Sequence, residues 1–427
     1  MSVFKLPQTL ESSNSGITDF KYNQYNPRTN VISAATGLLD KRVDIPFTLG
    51  PTEWWMPSRS YVKVRYTIAL VGGAPFDNLT NVKHGAVSMN TCANLFSSGS
   101  FTLNNKRICS IESNLPQVDI LEQRLHKSGA WLESVGASTN NLQQDPTDRE
   151  LVLQKTKEFE SVWQPKCLSI FKYAGALPTG NYQLSLQPDI LAQSISSVQN
   201  RWQEPAMVNG VDFEFKVQSI ELYVATLEGE RVDDAKYLIS LNQTNCVDTS
   251  FTTSAQSLTK TYFNVAPTSK ALTVAFQTDD VATSKASASR FTCLDANGDQ
   301  REKSLNRLFI QYAGKTFPKY EVDSGFDSNV AVKKDYTTQR YVDSQINSGS
   351  YFSEGGAEGV SDWHSRGSYH HFLCPKEVGN RATRATVNTQ FADDMTGNKI
   401  LLFDHSTVAV QVVIDSGIVR EVQVLDL

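Results

Sequence analysis

The sequence predicts an all-β protein with minor helices, built as two β-sandwiches of roughly 200 residues each. Three observations carry this. Short segments alternating apolar and polar residues recur along the chain, punctuated by Gly, Pro, Asn and Asp. The same character fills both halves, although no sequence repeat relates them. The chain has 427 residues, more than the ~100–200 of a typical domain.

Residues 1–40 are polar, rich in Ser, Thr and Asn, and lack periodicity. They read as an extended N-terminal arm with room for one short strand. Strands then begin at 43–49. In 61–70, YVKVRYTIAL, Val62, Val64, Tyr66, Ile68 and Leu70 fall on one face and Lys63 and Arg65 on the other. An apolar and a polar face at period two define a half-buried antiparallel strand. Further strands are expected at 99–104, 167–172, 182–187 and 213–226. Downstream they return at 238–242, 257–265, 271–277, 307–313, 370–374 and 385–391. Residues 408–424 read as a hairpin around Asp415-Ser416-Gly417.

Helical signals are few, and all lie in the first half. Residues 116–134 place Val118, Leu121, Leu125 and Trp131 on one side, with Pro116 in the first turn. Residues 146–162 follow an Asp145-Pro146 start signal, and 189–203 is a weaker helix. Helices inserted into the loops of a β-sandwich produce this pattern.

Apolar residues make up 40% of the chain and charged residues 20%, enough for a sizeable core. The net charge is −5, which argues against an autonomous nucleic-acid binder. No apolar run reaches the ~18–20 residues of a membrane helix. The first residues lack a secretory apolar stretch, so the chain is expected to be made inside a cell. The six cysteines, at 92, 109, 167, 246, 293 and 374, are dispersed without C-x-x-C spacing. Separate, mostly buried thiols follow.

The constellations that could carry chemistry are incomplete. Gly314-Lys315-Thr316 imitates the end of a phosphate-binding loop, but position 309 is Phe where that loop needs Gly. A turn closing the preceding strand is expected instead. Asp295, Asn297 and Asp299 have calcium-loop spacing, yet Gln300 and Asn306 stand where Gly and Glu are required. His364, His370, His371 and Cys374 form a His-rich cluster. On a strand, His370 and Cys374 share a face and His371 lies opposite, too few convergent ligands for zinc. Asp233-Asp234 and Asp393-Asp394 read as solvated corners. Trp54 and Trp55 could form a ligand platform, or pack the sandwich edge or an intersubunit contact. No catalytic, metal or cofactor-binding residues are assigned, and no cofactor is expected.

Taken in order, the segments resemble the double jelly-roll major capsid proteins of the adenovirus and tailless-phage lineage. The look is nearest to those of virophages and Polinton-like or adinto-like viruses. The opening FKYNQYNPRTN followed by RVDIPFTLGPTEWWMPSRSYVKVRYTIAL carries part of the likeness. NTCANLFSSGSFTLNNKRICS carries more, through Asn90, Leu95, Phe96, Leu103, Asn104 and Lys106. The Leu177-Pro178-Thr179-Gly180 turn, the passage FKVQSIELYVATLEGERVDDAKYLI, RLFIQYAGKTFPKYEVD and the C-terminal hairpin complete it. An Asn-Pro-Phe tripeptide found in several relatives is replaced by ANGDQREKSLNRLF, and 348–368 matches no motif of the family.

The resemblance implies a first jelly roll with inserted helices over 41–226 and a second over 227–427. It implies a viral major capsid protein and no enzyme, with homotrimers forming pseudo-hexameric capsomers that tile an icosahedral shell. Its partners would be its own copies, neighbouring capsomers, and penton and minor capsid proteins, with a possible internal membrane. Direct sequence-specific nucleic-acid binding is not implied, and the location would be the virion. A two-domain β-sandwich carbohydrate-binding protein or glycosidase is the alternative, with Trp54, Trp55, Trp163 and Trp202 as its first suspects.

Overall fold

A computed structural model describes residues 20–70, 91–126, 158–189, 213–229, 231–252, 256–263, 265–266, 269–279, 291, 293, 301–323, 337–348, 359–360, 363, 367–374 and 384–426. The first half runs β1 (Phe20–Tyr25), β2 (Val43–Leu49), β3 (Glu53–Trp55), β4 (Tyr61–Leu70), α1 (Thr91–Asn94), β5 (Phe96–Leu103), β6 (Lys106–Ile111), α2 (Leu115–His126), β7 (Glu158–Trp163), β8 (Gly180–Pro188) and β9 (Phe213–Glu228). The second runs β10 (Ala235–Ser250), β11 (Ser257–Tyr262), β12 (Ala271–Thr278), β13 (Leu305–Tyr312), β14 (Lys315–Asp323), α3 (Thr337–Ser348), β15 (Tyr369–Leu373), β16 (Ala385–Phe391), β17 (Asn398–Asp415) and β18 (Ile418–Asp426).

Four antiparallel sheets result. Sheet A has the order β1-β9-β4-β7, with β3 also on β9, and sheet B has β2-β8-β5-β6. Sheet C has β10-β17-β12-β15, with β18 also on β17, and sheet D has β11-β16-β13-β14. Setting β3 and β18 aside, and counting eight strands in each half, both halves read 1-8-3-6 over 2-7-4-5. This is the jelly-roll order, and it occurs twice in a chain with no sequence repeat. The arm contributes β1, which pairs with β9 from Phe20↔Leu227 to Tyr25↔Leu222.

Alternation decides which side of each strand is buried. Val43, Ile45, Phe47 and Leu49 point inward from β2, and Val62, Val64 and Tyr66 from β4. The first core is aromatic. Trp55 sits 5.2 Å from Phe47, 5.0 Å from Phe101 and 5.1 Å from Tyr182, measured between ring centroids. The second core gathers Leu272, Val274, Phe276, Leu308, Ile310, Phe391, Ile400 and Leu402.

Some elements depart from expectation. The strand expected at 167–172 is a 3₁₀ turn at Ser169–Lys172. Cys167, Leu168, Ser169, Ile170 and Phe171 are all buried, so no solvent face enforces alternation. The helix expected to reach 162 is already strand β7 from Glu158, paired with β4. Residues 127–134, 146–157 and 190–203 of the expected helices lie outside the described residues. Helix α3 stands in the second half, where no helix was expected. Its sequence TTQRYVDSQINS is polar, and its partner is the edge of sheet C.

That edge explains α3. On β15, Tyr369 and His371 turn their backbone groups away from β12. The Ser344 hydroxyl donates to the Tyr369 carbonyl at 3.1 Å and accepts from the His371 N–H at 3.3 Å. The Asn347 amide donates to the His371 carbonyl at 2.8 Å. Ser344 and Asn347 lie one helical turn apart, and together they satisfy the strand edge as another strand would. β15 is therefore closed to further pairing at these positions.

Candidate functional site at the seam between the sandwiches

The predicted strand over 370–374 is β15, and the facing of its histidines is as expected. His370 opposes Val274 and His371 opposes Thr273, so the two rings point to opposite faces of sheet C. His370 packs edge-on against Phe276 and Trp363, at 6.3 and 5.8 Å. Cys374 follows the strand, and His364 lies outside the described residues. Among the described residues, no group of three or more His, Cys, Asp or Glu is placed to hold a metal ion.

The other candidates resolve into packing and turns. Trp55 is fully buried and donates its indole N–H to the Ser60 hydroxyl at 2.8 Å. Trp54 packs with Met56, Ala176, Ala225 and Leu227. Trp163 is buried and stacks on Phe96 at 6.1 Å. None of the three offers a ligand platform; Trp202 lies outside the described residues. Ala313 and Gly314 adopt φ of 51° and 76°, making the tight turn between β13 and β14. Exposed Asp233 and Asp234 meet the β17–β18 hairpin: the Asp233 carbonyl accepts from Gly417 N–H and the Asp234 carboxylate from Ser416 N–H. Asp394 accepts from the Thr396 hydroxyl at 2.7 Å and its N–H at 3.0 Å. Asp295, Asn297 and Asp299 lie outside the described residues. All six cysteines are free thiols, five of them buried.

The titratable groups instead converge where helix α2 lies between the halves. The sequence presents α2 as amphipathic, yet it is buried from Leu115 to Leu125 on every side. Several of its polar side chains reach the second half. Gln117 bonds Gln277 on β12 at 3.3 Å. The Arg124 guanidinium, fully buried, donates to the Gly367 carbonyl at 2.8 Å and lies over the rings of Tyr369 and Phe291 at 4.9 and 5.3 Å. Gly367 has φ +83°, and a Cβ there would sit 1.8 Å from the Phe291 carbonyl oxygen. Only glycine allows this approach.

Glu122 begins a chain of hydrogen bonds. Its carboxylate is 2.6 Å from the Lys172 ammonium and 3.4 Å from the His126 ring. The Thr244 hydroxyl on β10 donates to it. Thr244 also lies 3.0 Å from His405 Nδ1, Thr273 lies 2.8 Å from His405 Nε2, and Thr273 lies 2.7 Å from His371 Nδ1. One proton order satisfies all of these. Thr244 gives its single proton to Glu122, so His405 Nδ1–H donates to Thr244. His405 Nε2 then accepts from Thr273, and His371 Nδ1–H donates to Thr273. Both imidazoles are neutral in this order.

The electrostatics agree with the geometry. Burial alone would raise the Glu122 carboxyl, but Lys172, then His126 and His405, outweigh it and bring it down to about 2. Burial lowers His405 to about 4 and His371 well below its ordinary value. On the adjacent residue, burial raises Asp404 to about 6 against the pull of Ser269 and the Ala266 N–H. Among the described residues, the seam's titratable groups are held in hydrogen bonds and ion pairs. What the seam can do is fix the register of one sandwich on the other, because a one-way chain of donors is satisfied in a single docking. Sequence reading missed it: Glu122, Lys172, Thr244, Thr273 and His405 are far apart in sequence and meet only through the topology.

No family profile matches the sequence, and no curated protein matches it. Solved structures do. A chain in the cryo-EM structure of the Sputnik virophage superposes with a TM-score of 0.57 at 11% identity, covering 100% of this chain and 93% of that one. A chain of the PBCV-1 virus capsid superposes with a TM-score of 0.53 at 9% identity, covering 99% and 98%. The Faustovirus major capsid protein gives 0.50 at 7% identity, covering 97% and 93%. At such identities the likeness is one of fold, and with the strand order repeated in both halves it makes the chain a double jelly roll.

Proposed function

We propose that the chain is a viral major capsid protein, three copies of which form a pseudo-hexameric capsomer that tiles an icosahedral shell. The observation that carries this is the jelly-roll order, present twice. It is coupled to end-to-end likeness with chains from the Sputnik virophage, the PBCV-1 capsid and the Faustovirus major capsid protein. Two sandwiches per chain turn a threefold ring into six similar blocks. The chain divides between β9 and β10, with the arm of residues 1–40 lending β1 to the first sandwich.

The role is structural rather than enzymatic. Trp54, Trp55 and Trp163 are engaged in packing, and the seam's titratable groups in register. Partners would be other copies of the chain, neighbouring capsomers, and penton and minor capsid proteins in the virion, with a membrane beneath the shell as a further option. A net charge of −5 suits protein contacts better than direct genome binding.

Light scattering on the purified chain tests the reading. A particle of about 140 kDa, three times the 47.4 kDa of one chain, is expected, and electron microscopy of concentrated protein should show hexagonal outlines. A chain that stays monomeric at every concentration overturns it.

A further inference from the structure

His371 belongs to two systems at once. Its backbone is held by α3, through the Ser344 hydroxyl and the Asn347 amide. Its ring stands in the seam, buried, 2.7 Å from the Thr273 hydroxyl and 5.1 Å from the His405 ring between centroids. Thr273 is also 2.8 Å from His405 Nε2. One threonine hydroxyl therefore stands between two imidazoles, and it has a single hydrogen to give. In the neutral chain His371 Nδ1–H donates to Thr273, and Thr273 donates to His405 Nε2. A proton added to His405 Nε2 makes that nitrogen a donor. The order survives by reversing: the His371 ring carries its hydrogen on Nε2, and its Nδ1 accepts from Thr273. A second proton makes both facing nitrogens donors. The Thr273 hydrogen then loses its acceptor, and two cations face each other across one hydroxyl.

The surrounding charges deepen the conflict. Glu122 of α2 favours charge on the two rings, but Lys172 and the His126 ring oppose it on His405, and His126 opposes it on His371. Arg124 of α2 lies over Tyr369, on the same strand as His371. β12 brings no charged side chain. On β10 Asp248 is taken by Lys399 of β17 at 3.2 Å, and Asp404 of β17 is bonded to Ser269 and the Ala266 N–H. α3 carries Arg340, which donates to the Leu305 and Asn306 carbonyls, and Asp343. The two rings also have unequal supports. His405 is inside β17, which pairs with β10 from Ala235↔Ile414 to Ser250↔Lys399 and with β12 on its other side. His371 is on the edge strand β15, whose pairing with β12 runs only from Ala271↔Leu373 to Ala275↔Tyr369. Repulsion between the rings is relieved at the weaker support, by local opening of β15 and its polar cover α3.

We propose that β15 and α3 form an acid-operated latch on sheet C, closed while His371 and His405 are neutral and released, with the edge of β12 laid open, when both are charged. Burial holds both rings below the ordinary imidazole value, so closure is complete above pH 6.5 and weakens as pH falls below it. An opened edge presents unpaired N–H and C=O groups to an incoming strand. The device thus converts a fall in pH into a pairing surface. It is a property of the single chain and stands apart from the capsid reading.

Hydrogen exchange read by mass spectrometry on the full chain tests it, comparing pH 7.5 with pH 5 for wild type and His371→Asn. Asparagine keeps a donor near the Nδ1 position and cannot take up a proton. After correction for the intrinsic rate at each pH, wild-type protection over Tyr369–Leu373 and Thr337–Ser348 should fall at least about 10-fold, while β10 and β17 keep theirs. In His371→Asn the fall should disappear. Wild-type protection of β15 that ignores pH overturns the latch, as does a fall shared equally by β10 and β17, or a fall in the variant equal to that of wild type. NMR of the wild-type ring nitrogens decides the matter if the variant does not fold. At pH 7.5 both rings should carry their hydrogen on Nδ1, and His371 should gain its charge over the interval in which β15 opens. An Nε2–H form of either ring at pH 7.5, or a His371 that stays neutral while β15 opens, overturns the proposal.

Discussion

At the scale of single residues, Glu122 has the most at stake. Its carboxylate, itself buried, holds the partly exposed Lys172 and accepts a hydrogen bond from the Thr244 hydroxyl. Replacing it with Gln leaves Lys172 facing a neutral amide. Removing one member of a buried ion pair costs about 3–5 kcal/mol; the 23% exposure of Lys172 reduces that to about 2–3 kcal/mol. Urea unfolding of Glu122→Gln at pH 7 measures it.

The seam also predicts a pH response. The Glu122 contribution is complete above 4.5 and is lost as pH falls toward 2. His405, depressed from 6.5 to about 4, contributes fully above 6.5 and loses that as pH falls through this window, and His371 acts in the same sense. Asp404, raised from 3.8 to about 6, works oppositely and is most favourable at low pH. Two histidines against one carboxyl leave a net loss from pH 6.5 to 4. His405→Gln should flatten the stability profile in that interval. A profile as steep as that of wild type would place the titration elsewhere.

At the scale of elements, sequence pattern was a good guide for most strands with one wet face, β7 excepted, which read as the end of a helix. β2, β4 and β16 alternate and were visible. Pattern failed at Cys167–Phe171, where both faces are dry, although it held for the equally dry β12, and it failed for α3, whose partner is an edge. No local rule announces that Ser344 and Asn347 will cap a strand. Yet they do, and Ser344→Ala/Asn347→Ala should cost about 2 kcal/mol, near 1 kcal/mol for each hydrogen-bonding side chain lost. It should also raise hydrogen exchange at His371. Unchanged exchange would mean that α3 does not guard this edge. Among the described residues, the sequence motifs tested for catalysis ended in turns, corners and cores. The seam, absent from any motif, is where buried titratable groups of the two halves meet.

At the scale of the whole molecule, one continuous apolar cluster runs from Val31 through Trp163 to Tyr237, Phe403 and Val419. It crosses from one sandwich into the other, reinforced by Arg124 on Gly367 and by the Asn104 amide on the Val419 carbonyl at 2.9 Å. The two sandwiches therefore share a core and should unfold together. Calorimetry should give one transition with calorimetric and van't Hoff enthalpies in agreement. Two resolved peaks would show that the seam is weaker than either sandwich. The division into two sandwiches was legible from length and strand density, and their jelly-roll character from the family resemblance. Their fusion was not, because α2 looks like an ordinary surface helix until both sandwiches are placed around it.

β3 and β18 carry a consequence of their own. Each lies along the eighth jelly-roll strand of its half, beyond the end of the third: β3 on β9 past β4, and β18 on β17 past β12. One arrives from upstream in the chain and the other from downstream. A berth that unrelated connections fill is a demand of the sheet, not of the route by which the chain reaches it. With β3 and β18 in place, the eighth strand is flanked on both sides beyond the reach of the third, β9 at 226–227 by β1 and β3 and β17 at 408–414 by β10 and β18, so its backbone there is closed to an incoming strand.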